Sequence, residues 1–236
     1  MLEKHNDVRP MRDPRLLLFG VLLVFSTGCQ TVGDAAKSAY RSAYYATVST
    51  FGVQKRDILK KKVIQARDEQ SDAEEDFKDA LTKLKEIYAF DGGNLEKQYN
   101  QLNSKYESAD DSASDVKSRI QSIETVANDL FREWENELEE MSTVSLKVKS
   151  KKMLLDTRQR YGTMINALKK AEASMGPVLK KFKDHVTFLK HNLNAAAIAS
   201  LKGEAMNIQG DITSLIAEMN ASIKTANAFI DSLSAP

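Results

Sequence analysis

The sequence contains few of the residues that interrupt or crosslink a small fold. It has 10 glycines, 4 prolines and 1 cysteine among its 236 residues. Scarce glycine and proline leave few breakers of regular structure, so long helices are permitted. The single cysteine, Cys29, excludes an internal disulfide. No run shows the period-two alternation of a sheet, so the sequence predicts an all-α protein.

The sequence also lacks the motifs that carry most enzymatic chemistry. His185 and His191 are six residues apart and do not share a helix face as paired ligands do, and His5 lies near the N-terminus. Metal-protease, phosphate-loop and GxSxG motifs are absent, as is the inward Glu-x-x-His pattern of di-iron bundles. We therefore expect no enzyme, no catalytic residue, no metal site and no cofactor.

Neither sign of charge is in excess. The chain has 34 Lys and Arg against 33 Asp and Glu, a formal net charge of +1. A global attraction to nucleic acid is not expected at this charge, and we expect no nucleic-acid partner. Basic stretches at residues 55–62 and 147–152 are typical of solvated helix ends, and contact with lipid headgroups is the alternative.

The first 28 residues have the pattern of a targeting signal. Arg12 and Arg15 precede an apolar run over residues 16–25, and small residues follow it. The run is too short to span a bilayer core of about 30 Å. Its Ser-Thr-Gly-Cys ending resembles a bacterial lipoprotein signal, which implies that Cys29 is the lipidation site and the first mature residue. A soluble secreted chain and an uncleaved anchor are the alternatives.

The residue after the cysteine is Gln30. By resemblance to the sorting rule of enteric bacteria, it implies an outer-membrane lipoprotein whose body faces the periplasm. More than one acyl chain gives stable anchoring, where a single chain would be marginal. Met11 is an alternative start. Residues 29–52 form a linker whose tyrosines, Tyr40, Tyr44 and Tyr45, contact either lipid headgroups or the base of the folded domain.

From residue 53 onward, apolar residues recur at alternating three- and four-residue spacings, which is typical of amphipathic helices. The clearest stripe lies in the second helix and comprises Tyr99, Leu102, Tyr106, Ala109, Ala113, Val116, Ile120, Ile123, Ala127, Leu130, Trp134, Leu138 and Met141. The spacing predicts helices over about residues 53–90, 94–141, 146–192 and 195–233. The periodicity therefore assigns residues 53–236 to one helical domain.

Three turns separate these helices. Gly92 and Gly93 permit left-handed backbone, and Asn94 is a suitable N-cap for the second helix. Acidic residues 133–140 and basic residues 147–152 predict a hairpin closing near residue 143. A change of phase predicts a third turn near residues 192–195, with a stutter in one continuous helix as the alternative. Because the register is unchanged across Pro177, we expect a kink there rather than a helix end.

These helices predict an elongated antiparallel four-helix bundle, roughly 60–70 Å long at about 1.5 Å per residue. Three stretches, FGVQKRDIL, FDGGNLEKQYNQLN and FLKHNLNAAAIASL, resemble an uncharacterised lipoprotein family of Gram-negative bacteria, a domain of unknown function. The resemblance implies a helical, membrane-attached protein with no known activity, and it supplies no functional residues.

Two of those stretches meet at the bundle end remote from the membrane. The candidate partner-binding tip there comprises Phe90, Asp91, Gly92, Gly93, Asn94, Phe188, His191, Asn192 and Asn194. A second interpretation is that the glycines and asparagines simply turn the chain. We expect an anchored periplasmic scaffold or adaptor that binds an envelope protein or peptidoglycan.

Two other functions stay open. One is a chaperone-like or lipid-handling module, which a core gap lined by Met153, Met164, Met175, Met206 or Met219 would favour. The other is a helical oligomer, which would need two apolar stripes on one helix. Several of the stripes are single, which favours a monomeric bundle.

Overall fold

A computed structural model describes residues 55–90 and 92–234 of the chain. Within them are four α-helices: α1 (Lys55–Tyr88), α2 (Leu95–Glu140), α3 (Val144–His191) and α4 (Ala195–Ser234). No strand occurs in these ranges, so the all-α prediction is confirmed. None of the four helices is both long enough and apolar enough to cross a bilayer. The signal, Cys29, Gln30, the linker and Asp91 lie outside the described residues.

Each helix packs along the next one in sequence, and α4 returns to pack on α1. The result is a closed antiparallel four-helix bundle, which confirms the expected architecture. The turns before Leu95 and before Ala195 lie at the same end, which we call the distal end. The start of α1, the turn at residues 141–143 and the end of α4 lie at the opposite, proximal end.

The apolar stripes of the four helices form one continuous core. Burying each large side chain contributes about 1.5–3 kcal/mol, which these long helices need because isolated helices are marginal in water. Fully buried side chains from all four helices include Leu59, Phe77, Leu84, Leu102, Ile123, Met164, Leu168, Met175, Phe182, Leu189 and Ile208. Three of the methionines considered for a core gap, Met164, Met175 and Met219, therefore fill the core.

The register of α2 near its end differs from the expected one. Phe131 is buried, whereas Leu130 and Trp134 are partly exposed. The indole N–H of Trp134 donates to Ser150 Oγ at 2.8 Å. A half-buried position at the α2–α3 edge suits an aromatic ring that carries one polar atom. Phe131 instead packs edge-on against Tyr161, with ring centroids 5.4 Å apart.

Helix α3 continues through Pro177, as the unchanged register predicts. Proline removes one backbone N–H, which leaves the carbonyl of Ala173 without its usual helical donor. Both residues lie on the exposed side of α3. Water can therefore hydrate that carbonyl, and the helix tolerates the proline. The third turn is also present: α3 ends at His191 and α4 begins at Ala195, so the continuous-helix alternative is wrong.

The charged segments beside the turn at residues 141–143 meet only in part. Lys147 Nζ lies 3.2 Å from Glu139 Oε2, in agreement with the expected pairing. Glu135 instead pairs with Arg158, and Glu133 pairs with Lys55 of α1. Ion pairs at this end thus join three helices, although exposed pairs of this kind contribute only about 0–1 kcal/mol each.

Candidate functional site

The two distal turns are held by local hydrogen bonds. Asn94 Oδ1 accepts from the backbone N–H of Lys97 at 2.9 Å, and Asn194 Oδ1 accepts from that of Ala197 at 2.9 Å. These side chains satisfy N–H groups that a helix start leaves without partners. Asn192 Nδ2 donates to the carbonyl of Phe188 at 3.0 Å. All three asparagines of the expected tip therefore serve the turns.

Gly93 has a φ of +112°, a conformation that residues with a Cβ rarely adopt. A Cβ built there would lie 3.9 Å from the ring of Phe90, so space is available and backbone strain is the obstacle. A glycine is therefore required at this position to reverse the chain between α1 and α2. Gly92, Gly93, Asn94 and His191 are exposed.

A groove of about 700 Å³ lies between α3 and α4 at the distal end. Its apolar lining is supplied by Phe188, Leu201, Met206 and Ile208. Phe188 is 39% exposed and Met206 is 79% exposed, so two large apolar side chains are open to solvent there. Exposed apolar side chains that lie together in a groove make it a candidate contact surface.

The rim of the groove carries an excess of negative charge. Its charged lining residues are Lys181, Asp184, Glu204 and Asp211. Lys181 Nζ pairs with Asp211 Oδ2 at 2.5 Å, which neutralises both. Asp184 and Glu204 remain as the net charge of the lining. An apolar floor with acidic neighbours fits a partner that offers an apolar side chain beside a basic group.

A buried polar pair lies beneath the groove. A hydrogen bond of 2.5 Å joins Tyr88 Oη of α1 to His185 Nδ1 of α3, and the two rings meet edge-on. Burial raises the pKa of Tyr88 well above its usual range, and the nearby Glu204 carboxylate raises it further. Burial also lowers the pKa of His185 against the opposing attraction of Glu204 and Asp184. Both groups are therefore neutral at pH 7, and their hydrogen bond ties α1 to α3.

The expected tip residues divide between different surfaces. Phe188 lines the groove, whereas Asn94 borders a shallow depression on the first turns of α2, together with Lys97 and Gln101. Asp91 lies outside the described residues.

Leu201, Glu204 and Tyr88 were not among the residues expected to form the partner-binding tip. Met206 carried a usable signal, because it is apolar but lies off the apolar stripe of α4. Tyr88, only two residues before the expected tip, carried none.

The described residues contain no cluster of three His, Cys, Asp or Glu side chains arranged to hold a metal ion. The fold and the groove together define an elongated all-α bundle with a candidate binding surface at one end. The chain belongs to the family described as "Protein of unknown function (DUF2959)", which it matches over residues 44–233. A search of curated proteins gave no match. A search of solved structures gave none either.

Proposed function

We propose that this protein is an outer-membrane-anchored periplasmic scaffold or adaptor, lipidated at Cys29, which binds an envelope partner through the distal groove. The observation that carries the proposal is the exposed apolar floor formed by Phe188 and Met206. A closed bundle with helices of 34 to 48 residues is suited to hold such a surface away from its attachment point. The family supplies no activity to set against this role.

The partner is best described by the chemistry of the groove. The acidic rim and the apolar floor favour a protein segment with an apolar side chain next to Lys or Arg. The neutral state of Tyr88 and His185 favours a structural role for this pair beneath the floor. Peptidoglycan, with its many hydroxyl and amide groups, matches an apolar floor less well.

The core favours a scaffold over a chaperone-like or lipid-handling module. Met164, Met175 and Met219 are at most 1% exposed, so they fill the interior rather than line a gap. A module that opens between its helices would have to expose these side chains, at about 25 cal/mol for each Å² of apolar surface.

Two variants test the groove directly. Gly210 lines the groove and Gly203 lies elsewhere on α4; a Cβ at either position would meet no atom within 4 Å. Gly210→Gln should therefore place a side chain in the groove without disturbing the fold, and Gly203→Gln is its matched control. We expect a photocrosslinker at Met206 to capture an envelope protein in intact cells. Gly210→Gln should reduce that capture at least several-fold, and Gly203→Gln should leave it unchanged.

A crosslinker at Ser118, exposed on the shaft of α2, provides the positional control. Capture from Ser118 but not from Met206 would contradict a distal binding site. The anchor is tested separately with Cys29→Ala, which should release the protein from the membrane fraction. If Cys29→Ala stays with the membranes, lipidation is not what attaches the chain.

A further inference from the structure

The hairpin between α2 and α3 extends beyond the rest of the bundle at the proximal end. Lys55, the first residue of α1, pairs with Glu133 of α2, so α2 continues for seven more residues past that level. The pairs Lys181–Asp211 and Ser174–Glu218 set the antiparallel register of α3 and α4. Extended to Ser234, that register places the end of α4 level with about residue 158 of α3, so α3 projects about 20 Å past α4.

The projecting hairpin leaves apolar side chains without cover. We call residues 136–155 the proximal tip. None of the residues 144–153 is buried, and Leu154 is the first buried residue of α3. The exposed apolar side chains are Met141 (37%) in the turn and, on α3, Val144 (75%), Leu146 (56%), Val148 (63%), Met153 (61%) and Leu155 (56%). This is the largest group of exposed apolar side chains in the described residues, and the fold makes no use of it.

The exposed apolar side chains on α3 lie on two opposite sides of that helix. At about 100° per residue, Val144, Val148 and Leu155 share one side, and Leu146 and Met153 lie roughly opposite. Leu154 lies between these two sides, on the side of α3 that faces α2. A protein partner, including a second copy of this chain, docks on one face and would leave the apolar groups of the opposite face exposed. A lipid interface surrounds the tip and can cover both sides at once.

The charges of the proximal tip agree with a phospholipid surface. Lysines 147, 149, 151 and 152 alternate with the apolar residues, and glutamates 137, 139 and 140 end α2, which leaves a net charge of +1. Long lysine side chains can bury their methylenes and keep their ammonium groups at the level of the phosphates. With so small a net charge, burial of the apolar side chains must supply most of the binding.

We infer that the proximal tip inserts into the headgroup region of the phospholipid bilayer and sets the bundle upright on the membrane. The inference rests on the proposed anchoring and adds to it. Cys29 precedes Lys55 by 26 positions, a separation of at most about 90 Å in a fully extended chain. Contact between the tip and the bilayer would fix the orientation of the bundle. Insertion of the tip at the end where α1 begins would point the distal groove away from the membrane.

The test uses the mature full-length protein purified from membranes and reconstituted in vesicles of phosphatidylethanolamine and phosphatidylglycerol. The chain has no cysteine besides Cys29, whose sulfur is a thioether in the lipidated protein, so a cysteine placed elsewhere is the one thiol that takes a polarity-sensitive dye. We compare Val144→Cys at the tip with Met206→Cys at the distal end, both more than 70% exposed. Dye at 144 should shift to the blue and be quenched several-fold more by lipid-borne quenchers than dye at 206.

A second pair of variants separates insertion from folding. Val148→Glu with Leu155→Glu should abolish the shift at position 144, because two carboxylates would enter the interface. The double change should leave the Tm unchanged, since both positions are exposed. Asn166→Glu with Ala173→Glu, at exposed positions on the shaft of α3, is the matched control and should leave the shift intact.

The outcomes distinguish the inference from the anchoring. If the protein floats with the vesicles but the dye at 144 stays unshifted, the protein is anchored and its tip is free. That result overturns the inference and leaves the proposed anchoring intact. Protein that does not float overturns both proposals. A blue shift in the Cys29→Ala protein, measured without detergent or vesicles, overturns the inference too. A doubled mass in sedimentation would then make a second copy the occupant of the tip, and an unchanged mass would make residues 30–54 its cover.

Discussion

At the distal end the apolar core continues almost to the turns, whereas at the proximal end α3 contributes no buried side chain over its first ten residues after the α2–α3 turn. Ile87 and Leu189 are fully buried one and two residues before α1 and α3 end. By contrast, residues 144–153 of α3 bury no side chain. Both ends contain similar amphipathic sequence. Helix stagger, more than composition, therefore decides which apolar residues become part of the core.

The largest difference should appear between two leucines on the same helix. Leu189→Ala should lower the free energy of unfolding by about 2–5 kcal/mol, because a fully buried side chain leaves a cavity. Leu155→Ala, at an exposed position of the proximal tip, should change it by less than about 0.5 kcal/mol. Urea denaturation followed by circular dichroism measures both. Equal losses would mean that the proximal tip is covered in the folded protein.

Next in size is the effect of the buried distal pair. Tyr88→Phe removes the hydroxyl that bonds to His185 Nδ1 and leaves a buried ring nitrogen without its partner, at a cost of about 1–3 kcal/mol. Tyr99→Phe, at a partly exposed position on α2, is the control and should cost far less. A Tyr88→Phe protein as stable as the wild type would show that the pair contributes nothing to holding the distal end.

The helix caps provide a smaller test of the same comparison. Asn94→Ala and Asn194→Ala should each destabilise the fold by about 1 kcal/mol, because each removes a side-chain acceptor from a helix start. The proximal counterpart is Thr143, whose side chain makes no capping hydrogen bond. Thr143→Ala should therefore be close to neutral. Thermal unfolding of the three variants would rank them, and a Thr143→Ala loss as large as the others would break the contrast.

The smallest expected effect depends on pH. The pKa of His185 lies below its ordinary value of 6.5, so the unfolded chain takes up this proton more readily than the folded one. The resulting stability is present above about pH 6.5 and is lost as the pH falls through the lowered pKa. Attraction from Asp184 and Glu204 opposes the shift and keeps the effect small.

His185→Gln should flatten the stability profile between pH 5 and 7 relative to the wild type. The altered contact with Tyr88 should lower the stability by the same amount at every pH in this range. His191→Gln, at an exposed position on the same helix, should leave the profile unchanged. The measurement is the urea midpoint across this range. A profile that keeps its slope in His185→Gln would show that His185 is not the source of the pH dependence.

Much of the fold could be predicted because an amphipathic helix is recognisable from the local spacing of its apolar residues. The stripes through Leu102, Leu168 and Ile212 repeat every three or four residues, and breakers or changes of phase mark the turns. Gly93 indicated the first turn, since a residue with left-handed backbone is needed where so short a turn connects two long antiparallel helices.

The candidate groove was harder to predict because its residues are distant in sequence. Phe188 was expected at the distal end, but Met206 became its neighbour only through the pairing of α3 with α4. The hydrogen-bond partner of His185 was equally hard to predict, because Tyr88 lies 97 residues away in the sequence. The predicted roles of Cys29 and Gln30 stay predictions, because both residues lie outside the described part of the chain.

The sequence by itself determined the all-α class, the four helices and their turns, because hydrophobic periodicity and turn chemistry are local properties of the chain. Only the tertiary structure decided which exposed apolar residues remain. Met206 and Val148 are alike in sequence terms, each an apolar residue in an amphipathic helix. Met206 lies in the groove and Val148 lies on the projecting hairpin. This difference arises because the packing of the whole core sets the relative lengths and stagger of the four helices.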